Sequence, residues 1–256
     1  VSLVTNMACL FIRNSVITQE KLKAEYTVKS TIDRVETKLE TYIEKVQFLK
    51  KTIESGIELN DAYFQSIASR LYGDDPAIKT IELAPNGVIQ NVYPLKENEK
   101  VIGMNMLRER DRKQAATLAK DTKKYTLEGP YNLKQGGKGA LLYDPIYVND
   151  EFWGFSILVI DWDVFLDEIH LSDLEKASYD FVVWKKDRNT NEKIIVSKST
   201  NDIDSNTLLI KCKLPNNKWN FEIVPKQGWI NQYLMISLVV ASILIDFLVT
   251  AAIAQF

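Results

Sequence analysis

The sequence has very few of the residues that most often bind metals or act as nucleophiles. Its 256 residues include one histidine, His170, and two cysteines, Cys9 and Cys212. A metal site needs several such ligands close together, and cysteine catalysis needs a basic partner such as histidine. We therefore predict no metal, no cofactor and no catalytic residues, and we interpret His170 as structural or exposed.

A large excess of charge of either sign is also absent. Lysine and arginine number 32, aspartate and glutamate number 34, and the formal net charge is −2. This balance argues against nucleic acid as a partner. Apolar residues make up 46% of the chain and charged residues 26%, which is typical of a globular protein. A chain of this length can form one large domain or two small ones with a sizeable core.

The apolar residues are concentrated at the two ends. Residues 234–256 contain a single formally charged side chain, that of Asp246. Because roughly 20 apolar helical residues cross a hydrocarbon core of about 30 Å, we predict a transmembrane helix over residues 231–256, in contact with membrane lipid. Trp229 and Tyr233 are expected at the water boundary. A carboxylate is costly in hydrocarbon, so Asp246 should be protonated or face a partner helix. The alternative is a buried core helix of a soluble domain.

The N-terminal apolar run, residues 1–12, is too short to cross a membrane by itself. We interpret it as the end of a first transmembrane helix. Two such spans would place the polar residues between them on one side of the membrane. Cys9 lies in this run and Cys212 in the folded part, so no disulfide is expected between them.

A long helix is predicted from residue 15 to about residue 55, where proline and glycine are absent. Apolar residues recur there at alternating spacings of four and three: Val28, Ile32, Val35, Leu39, Tyr42, Val46, Leu49 and Ile53. Such a seam is typical of a helix that packs on its own domain and also of a dimer interface, and both interpretations stay open. A second helix is predicted over residues 60–71, so residues 13–72 form a helical stalk.

After Pro76 the apolar spacing changes from helical to strand-like. Two strands flank the turn Pro85-Asn86-Gly87 and predict a hairpin. A helix over residues 108–124, three strands over residues 127–135, 140–148 and 152–161, and a short helix over residues 163–171 follow. Four more strands are predicted at residues 179–185, 194–197, 208–213 and 219–224.

Two motifs in this region have plain structural interpretations. The run Gly136-Gly137-Lys138-Gly139 lacks the spacing of a phosphate loop and precedes a strand, so it predicts a hairpin turn. Asp161 and Asp163 are interpreted as residues that cap a helix, since an aspartate that opens a helix commonly accepts from its backbone.

The order of two strands, a helix and three strands is that of a PAS-like sheet, and at this point the sequence resembles a known family. The stretches IKTIELAPNGVIQNVYPLKENEKVIGMNMLRERDRK, LEGPYNLKQGGKGALLYDPIYV and EFWGFSILVIDWDVFL resemble the bacterial branch of the CHASE family. These domains are the extracytoplasmic sensors of histidine kinases and nucleotide cyclases. The resemblance covers about residues 77–166, and its most specific pieces are residues 133–139 and Phe152-Trp153-Gly154.

The resemblance implies an α+β fold with a long N-terminal helix. A membrane-distal PAS-like antiparallel sheet domain would occupy residues 73–171 and a smaller membrane-proximal sheet subdomain residues 172–230, followed by the transmembrane helix. Residues 13–230 would lie outside the cytoplasm, anchored in the cell (inner) membrane. The segment would bind a small molecule of unknown identity and signal to a cytoplasmic histidine kinase or diguanylate cyclase, as a homodimer through the long helix. The alternatives are a module that binds a periplasmic protein and a membrane-anchored enzyme.

The same resemblance suggests where a ligand would bind. In a PAS-like fold the helix after the first two strands walls the pocket, and here that helix is basic. Arg112 falls where the family pattern has an arginine, and a guanidinium can hold a carboxylate with two hydrogen bonds. Apolar walls with a few polar tips would come from Tyr93, Met104, Tyr131, Tyr147, Phe152 and Trp153, for each of which plain core packing is the alternative.

Overall fold

The computed structural model describes residues 2–187, 190–203 and 206–254. The outermost residues of the two predicted membrane segments, 1, 255 and 256, lie outside the described residues. The chain divides into two units. The five-stranded unit contains Asp33–Leu171 and Lys213–Lys218, and the four-stranded unit contains Val1–Ile32, Ser172–Cys212 and Trp219–Phe256.

The predicted long helix is a single element, α1 (Ser2–Glu54), which contributes residues to both units. No proline or glycine interrupts it between residues 15 and 55, so the backbone hydrogen bonds continue without a break. All eight predicted seam residues are buried, with exposures of 0 to 6%. The seam therefore packs inside the chain's own fold, which favours the first of its two interpretations.

The five-stranded unit is built on an antiparallel sheet of β1 (Ile78–Pro85), β2 (Asn91–Tyr93), β3 (Thr126–Asn132), β4 (Lys138–Val148) and β5 (Glu151–Asp161). The strands lie in the order β2-β1-β5-β4-β3. Three helices accompany them: α2 (Asp61–Tyr72), α3 (Lys113–Thr122) and α4 (Trp162–Glu168), together with a 3₁₀ turn at Glu99–Val101. The predicted α+β, PAS-like fold is confirmed.

The predicted turns have the expected backbone geometry. Asn86 and Gly87 have φ values of 53° and 81°, and Gly136 and Gly137 have φ values of 94° and 75°. The second pair closes the β3–β4 hairpin, so the interpretation as a turn is confirmed. Asp161 caps α4, since its side chain accepts a hydrogen bond from the backbone N–H of Val164 at 3.4 Å.

The predicted start of the helix after the first two strands is wrong, because α3 begins at Lys113 and not at residue 108. Asn105 holds the preceding residues in a turn: its side chain accepts from the N–H of Leu107 at 2.9 Å, and its carbonyl accepts from Arg108 at 3.0 Å. Side-chain hydrogen bonds of this kind give the backbone an alternative to helix. Of the seven basic residues predicted for the helix, three therefore precede it and two follow it, and the helix itself is not a strongly basic wall.

The two faces of the five-stranded sheet differ in what covers them. The α3 face carries Ala84, Tyr143, Phe155 and Ile157, which pack in one buried cluster with the alanines of α3. The α1 face carries Leu83, Ser156 and Asp144, which are paired across β1, β5 and β4. Lys50 of α1 reaches this second face at Asp144. The alternation of side chains along each strand therefore separates two environments.

Gly154 is the glycine of the sheet that a side chain would crowd most. Gly154 of β5 lies opposite Pro85 of β1, and a Cβ atom at residue 154 would be 2.3 Å from the carbonyl oxygen of Ala84. The missing side chain allows the two backbones to approach at the end of the pairing.

The four-stranded unit contains a second antiparallel sheet, formed by β6 (Tyr179–Lys186), β7 (Lys193–Lys198), β8 (Leu208–Lys213) and β9 (Lys218–Pro225) in the order β7-β6-β9-β8. The helix α5 (Ser172–Lys176) precedes it and α6 (Gln232–Ala254) follows it. Trp229 was expected at the water boundary, but it is 5% exposed and donates its indole N–H to the carbonyl of Asn206 at 2.7 Å. Tyr233, the other residue expected at that boundary, is 74% exposed.

Among the described residues, α6 is the one helix that is long and apolar enough to cross a membrane. Thr5 of α1 donates its hydroxyl to Asp246 of α6 at 2.9 Å, so the expectation that Asp246 faces a partner helix is confirmed. Cys9 contacts the carbonyl of Leu238 at 3.6 Å, and among the described residues neither Cys9 nor Cys212 forms a disulfide.

Candidate functional site

The α3 face of the five-stranded sheet contains two buried charged side chains in otherwise apolar surroundings. Glu82 projects from β1 and is 1% exposed. Arg112 stands at the residue before α3 and is 6% exposed. Lone charges are rarely buried without a compensating partner, so this pair marks the face as a candidate functional site.

Arg112 is held against β3. Its guanidinium carbon lies 5.0 Å from the centre of the Tyr131 ring, and its Nη2 donates to the carbonyl of Asn132 at 3.4 Å. A guanidinium stacked on an aromatic ring keeps its remaining N–H groups in a fixed plane. The structure thus brings together two of the predicted site residues, Arg112 and Tyr131.

Glu82 has an unusual carboxyl group. Thr80 donates its hydroxyl to Oε1 at 2.7 Å, whereas the buried Oε2 has no hydrogen-bond partner among the described residues. Burial raises the pKa of Glu82 to about 7, and the Thr80 hydrogen bond and the charge of Arg112 oppose that rise only in part. The carboxyl is therefore poised to gain or lose a proton near neutral pH.

Tyr143 of β4 lies in the same apolar cluster. Its ring packs edge-on against Phe155 at 5.8 Å, and its hydroxyl points to the sulfur of Met106 at 3.9 Å. Burial raises the pKa of Tyr143 well above its ordinary value, so the phenol stays neutral and keeps the proton that it donates to Met106.

The other predicted site residues are distributed over the unit. Met104 lies in the buried cluster, and Phe152 packs against it. The rings of Tyr147 and Phe152 are 5.7 Å apart, and the Tyr147 hydroxyl donates to the carbonyl of Lys120 at 2.5 Å. Tyr93 pairs with Ile81 across the strands and therefore lies on the α1 face. Its ring centre is 5.5 Å from that of Tyr72. Trp153 is half-buried and is not among the residues of the cluster.

Sequence reasoning missed Glu82 and Thr80. The strand pattern could have identified Glu82, because this residue shares its face with Ala84 in a segment whose other central residues are apolar. An acidic residue at an inward position of a buried strand is unusual enough to single out.

The two charged side chains have chemistry that suits recognition of a small charged molecule. A guanidinium binds a carboxylate through two parallel hydrogen bonds, and a carboxylate with a free oxygen accepts from an ammonium group. Among the described residues, no group of three or more histidine, cysteine, aspartate or glutamate side chains is placed to hold a metal ion.

Comparison with known families gives a direct match. Residues 58–195, more than half of the chain, match the CHASE domain. The chain belongs to the CHASE family. The predicted resemblance is confirmed, and the family match extends beyond the residues on which it was based, from α2 into β7. No curated protein matches the CHASE chain.

Solved structures share the fold of this CHASE chain at low sequence identity. One is an extracellular ligand binding receptor from Desulfohalobium retbaense, with a TM-score of 0.53 and 16% identity over 83% of this chain. The match covers 40% of that receptor. Another is the ligand-binding domain of the Pseudomonas aeruginosa amino acid chemoreceptor PctC in complex with GABA, with a TM-score of 0.54, 10% identity, and coverage of 80% of this chain and 98% of that one.

A third similar structure is the ligand-binding domain of the Campylobacter jejuni chemoreceptor Tlp3 in complex with L-valine. It has a TM-score of 0.58 and 13% identity, and the match covers 84% of this chain and 96% of that one. At these identities the likeness shows the fold. The CHASE chain thus has the fold of sensor domains that bind small molecules.

Proposed function

We propose that this chain is the extracytoplasmic ligand-sensing segment of a membrane receptor and that its ligand binds on the α3 face between Arg112 and Glu82. The five-stranded unit would bind the ligand, and the four-stranded unit would pass the change to α6. The observation that carries the proposal is the burial of a guanidinium and a carboxyl group with a free oxygen on one face of a PAS-like sheet.

The charges of this face favour a small zwitterion. Arg112 would bind a carboxylate, Oε2 of Glu82 would accept from an ammonium group, and Tyr131 would pack on the carbon skeleton. GABA and L-valine, which are bound in two of the similar structures, each carry one carboxylate and one ammonium group. We therefore propose an amino-acid-like compound as the ligand class.

The ligand is best identified by a thermal-shift screen of amino acids and their analogues, followed by calorimetry. Arg112→Ala should weaken binding roughly ten- to a hundredfold, because a charge-assisted contact is worth about 1.5 to 3 kcal/mol. Arg112→Lys should restore only part of the affinity, since an ammonium lacks the planar pair of donors. Glu82→Gln should weaken binding of the zwitterion more than binding of its N-acetyl analogue.

Arg108→Ala is the matched control, because Arg108 is exposed and lies only four residues away. Its affinity should equal that of the wild type. If Arg112→Ala and Arg112→Lys both retain the wild-type affinity and melting temperature, the ligand does not bind at Arg112 and the proposal is wrong.

The membrane topology is the second part of the proposal. We propose that α6 and the N-terminal apolar segment cross the inner membrane and that the signal reaches a cytoplasmic histidine kinase or diguanylate cyclase. Support comes from α6, whose most apolar stretch of 18 residues has a mean hydropathy of 2.5 and contains no buried residue. A reporter at Lys186 should be active only outside the cytoplasm and one after Ala254 only inside. Activity of both on one side would contradict the topology.

We also propose a homodimer through α1. Because the seam is buried within the chain, the contact would use the exposed face, which carries Leu22, Tyr26 and Phe48 at 61%, 79% and 52% exposure. A cysteine at Tyr26 in a Cys9→Ser, Cys212→Ser background should cross-link between chains in membranes. One at Val28, which is fully buried, should not. Equal cross-linking at both positions would count against this face.

A further inference from the structure

A cleft of about 450 Å³ opens beside the α1 face of the five-stranded sheet, away from the Arg112–Glu82 pair. The side chains that matter for its chemistry are Lys50 of α1, Asp144 of β4, and Lys123 and Lys124 just after α3. Its volume is within the range of small-molecule sites, which is roughly 300 to 1,000 Å³.

The floor of the cleft contains an acceptor that is not satisfied. The Asp144 side chain is 3% exposed, and its Oδ1 lies 3.2 Å from Nζ of Lys50. Its Oδ2 is buried and has no hydrogen-bond partner among the described residues. Buried polar atoms nearly always have partners, so this floor fits a molecule that supplies a hydrogen-bond donor.

The rim of the cleft is positively charged. Lys123 lies 4.6 Å from the centre of the Tyr147 ring and 3.7 Å from the carboxylate of Asp150, whose side chain is 99% exposed and so screens it weakly. Lys124 is exposed to solvent. Glu54 acts on Asp144 from a distance, yet the lining side chains still comprise three lysines against one aspartate.

An anion without a hydrogen atom would satisfy the lysines but would face the bare oxygen of Asp144. An oxyanion that keeps an acidic hydrogen satisfies both, because its hydroxyl donates to Asp144 while its other oxygens meet the ammonium groups. Hydrogen phosphate and the monoanion of a phosphomonoester have this pattern, whereas sulfate does not. We propose that this cleft binds a small molecule through a protonated phosphate group, as a site separate from the α3 face.

The test uses the full chain in lipid nanodiscs and calorimetry with inorganic phosphate, sulfate and glycerol 3-phosphate at pH 7. The wild type should bind phosphate at least about tenfold more tightly than sulfate, a difference of about 1.4 kcal/mol. Tighter binding of glycerol 3-phosphate would assign the site to phosphate esters, and tighter binding of inorganic phosphate would assign it to the free ion.

Two variants separate this site from a merely basic surface. In Asp144→Asn the new amide can donate to sulfate, so the preference for phosphate should fall to about twofold or less. Lys124→Gln should weaken both anions about threefold to tenfold, because one ammonium group is lost. Lys113→Gln, at the exposed start of α3, is the control and should leave both affinities unchanged.

Equal affinities for phosphate and sulfate in the wild type would overturn the proposal, as would no binding of either. Unchanged selectivity in a folded Asp144→Asn variant would also overturn it. If Asp144→Asn does not fold, the wild-type selectivity and the effect of Lys124→Gln still decide the outcome.

Discussion

The two faces of the five-stranded sheet each bury one carboxyl group, but they balance its charge differently. On the α1 face, Asp144 has a direct ion pair with Lys50 at 3.2 Å. On the α3 face, Glu82 receives a hydrogen bond from the neutral Thr80, and Arg112 acts on it through its charge alone. Burial raises the pKa of both groups, to about 7 for Glu82.

The difference follows from the elements that cover the faces. The long helix α1 supplies Lys50, whose flexible stem reaches the sheet, whereas α3 contributes Ala115, Ala116 and Ala119 to the buried cluster. The ammonium group of Lys50 opposes the rise that burial causes in the pKa of Asp144. A carboxyl surrounded by apolar side chains can change its protonation when a ligand arrives. The α3 face is therefore the more responsive of the two.

The largest effect is expected at Gly154, where the backbones of β5 and β1 approach each other closely. Gly154→Ala should destabilise the fold by roughly 4 kcal/mol, because the new Cβ would overlap Ala84 and the backbone φ of 154° disfavours a side chain. Urea unfolding should show one weakened transition. Gly136→Ala, with φ 94° and nothing within 4 Å of the new Cβ, is the control and should cost about 1 kcal/mol. Equal losses would show that the close approach is unimportant.

The next effect concerns the α3 face alone and depends on pH. The pKa of Glu82 is raised in the fold, so the folded state holds its proton more tightly and stability should fall as pH rises from about 4.5 to about 7. The loss is on the order of 2 to 3 kcal/mol. Glu82→Gln should remove most of this slope, whereas Glu151→Gln, at an exposed residue, should keep it.

Unfolding free energies at pH 5 and pH 8 for these two variants and the wild type are the measurement. A wild type whose stability does not fall over this range would mean that Glu82 is better solvated than its surroundings indicate.

A smaller effect is expected on the α1 face. Lys50→Met should cost about 2 kcal/mol, because Asp144 would remain buried without its counter-charge. The double variant Lys50→Met, Asp144→Asn should recover most of that loss, since the charge is removed from both sides. Lys51→Met, at the exposed neighbour, is the control and should change the free energy of unfolding little. Additive effects of the two substitutions would show that the pair is not coupled.

Much of the fold could be predicted because the sequence patterns were local. The alternation in β1, β4 and β5, the turn glycines and the unbroken apolar spacing of α1 each specify an element over a few residues. The order of these elements then limited the topology to a PAS-like sheet. The start of α3 was harder, because one side chain, that of Asn105, redirects the backbone over several residues.

The candidate site was less predictable because it depends on contacts between distant strands. Arg112 and Tyr131 were both expected at a pocket, and in the structure the guanidinium carbon lies 5.0 Å from the centre of the tyrosine ring. Glu82 and Arg112 come from segments 30 residues apart in sequence, and nothing local relates them. The face of each aromatic residue also depended on strand register, which places Tyr93 on the α1 face because it pairs with Ile81.

The hydrogen bond between Thr5 and Asp246 has a consequence for how the chain is made. Aspartate near the centre of a helix costs about 2.5 to 3.5 kcal/mol on translocon insertion scales, against about 0.3 to 0.6 kcal/mol gained for each leucine, isoleucine or valine. Under the proposed topology, the ribosome delivers Thr5 long before Asp246, so the N-terminal segment would already be available as a polar partner when α6 enters the bilayer. Loss of that segment should therefore first reduce the yield of inserted chains, before any defect in sensing can be observed.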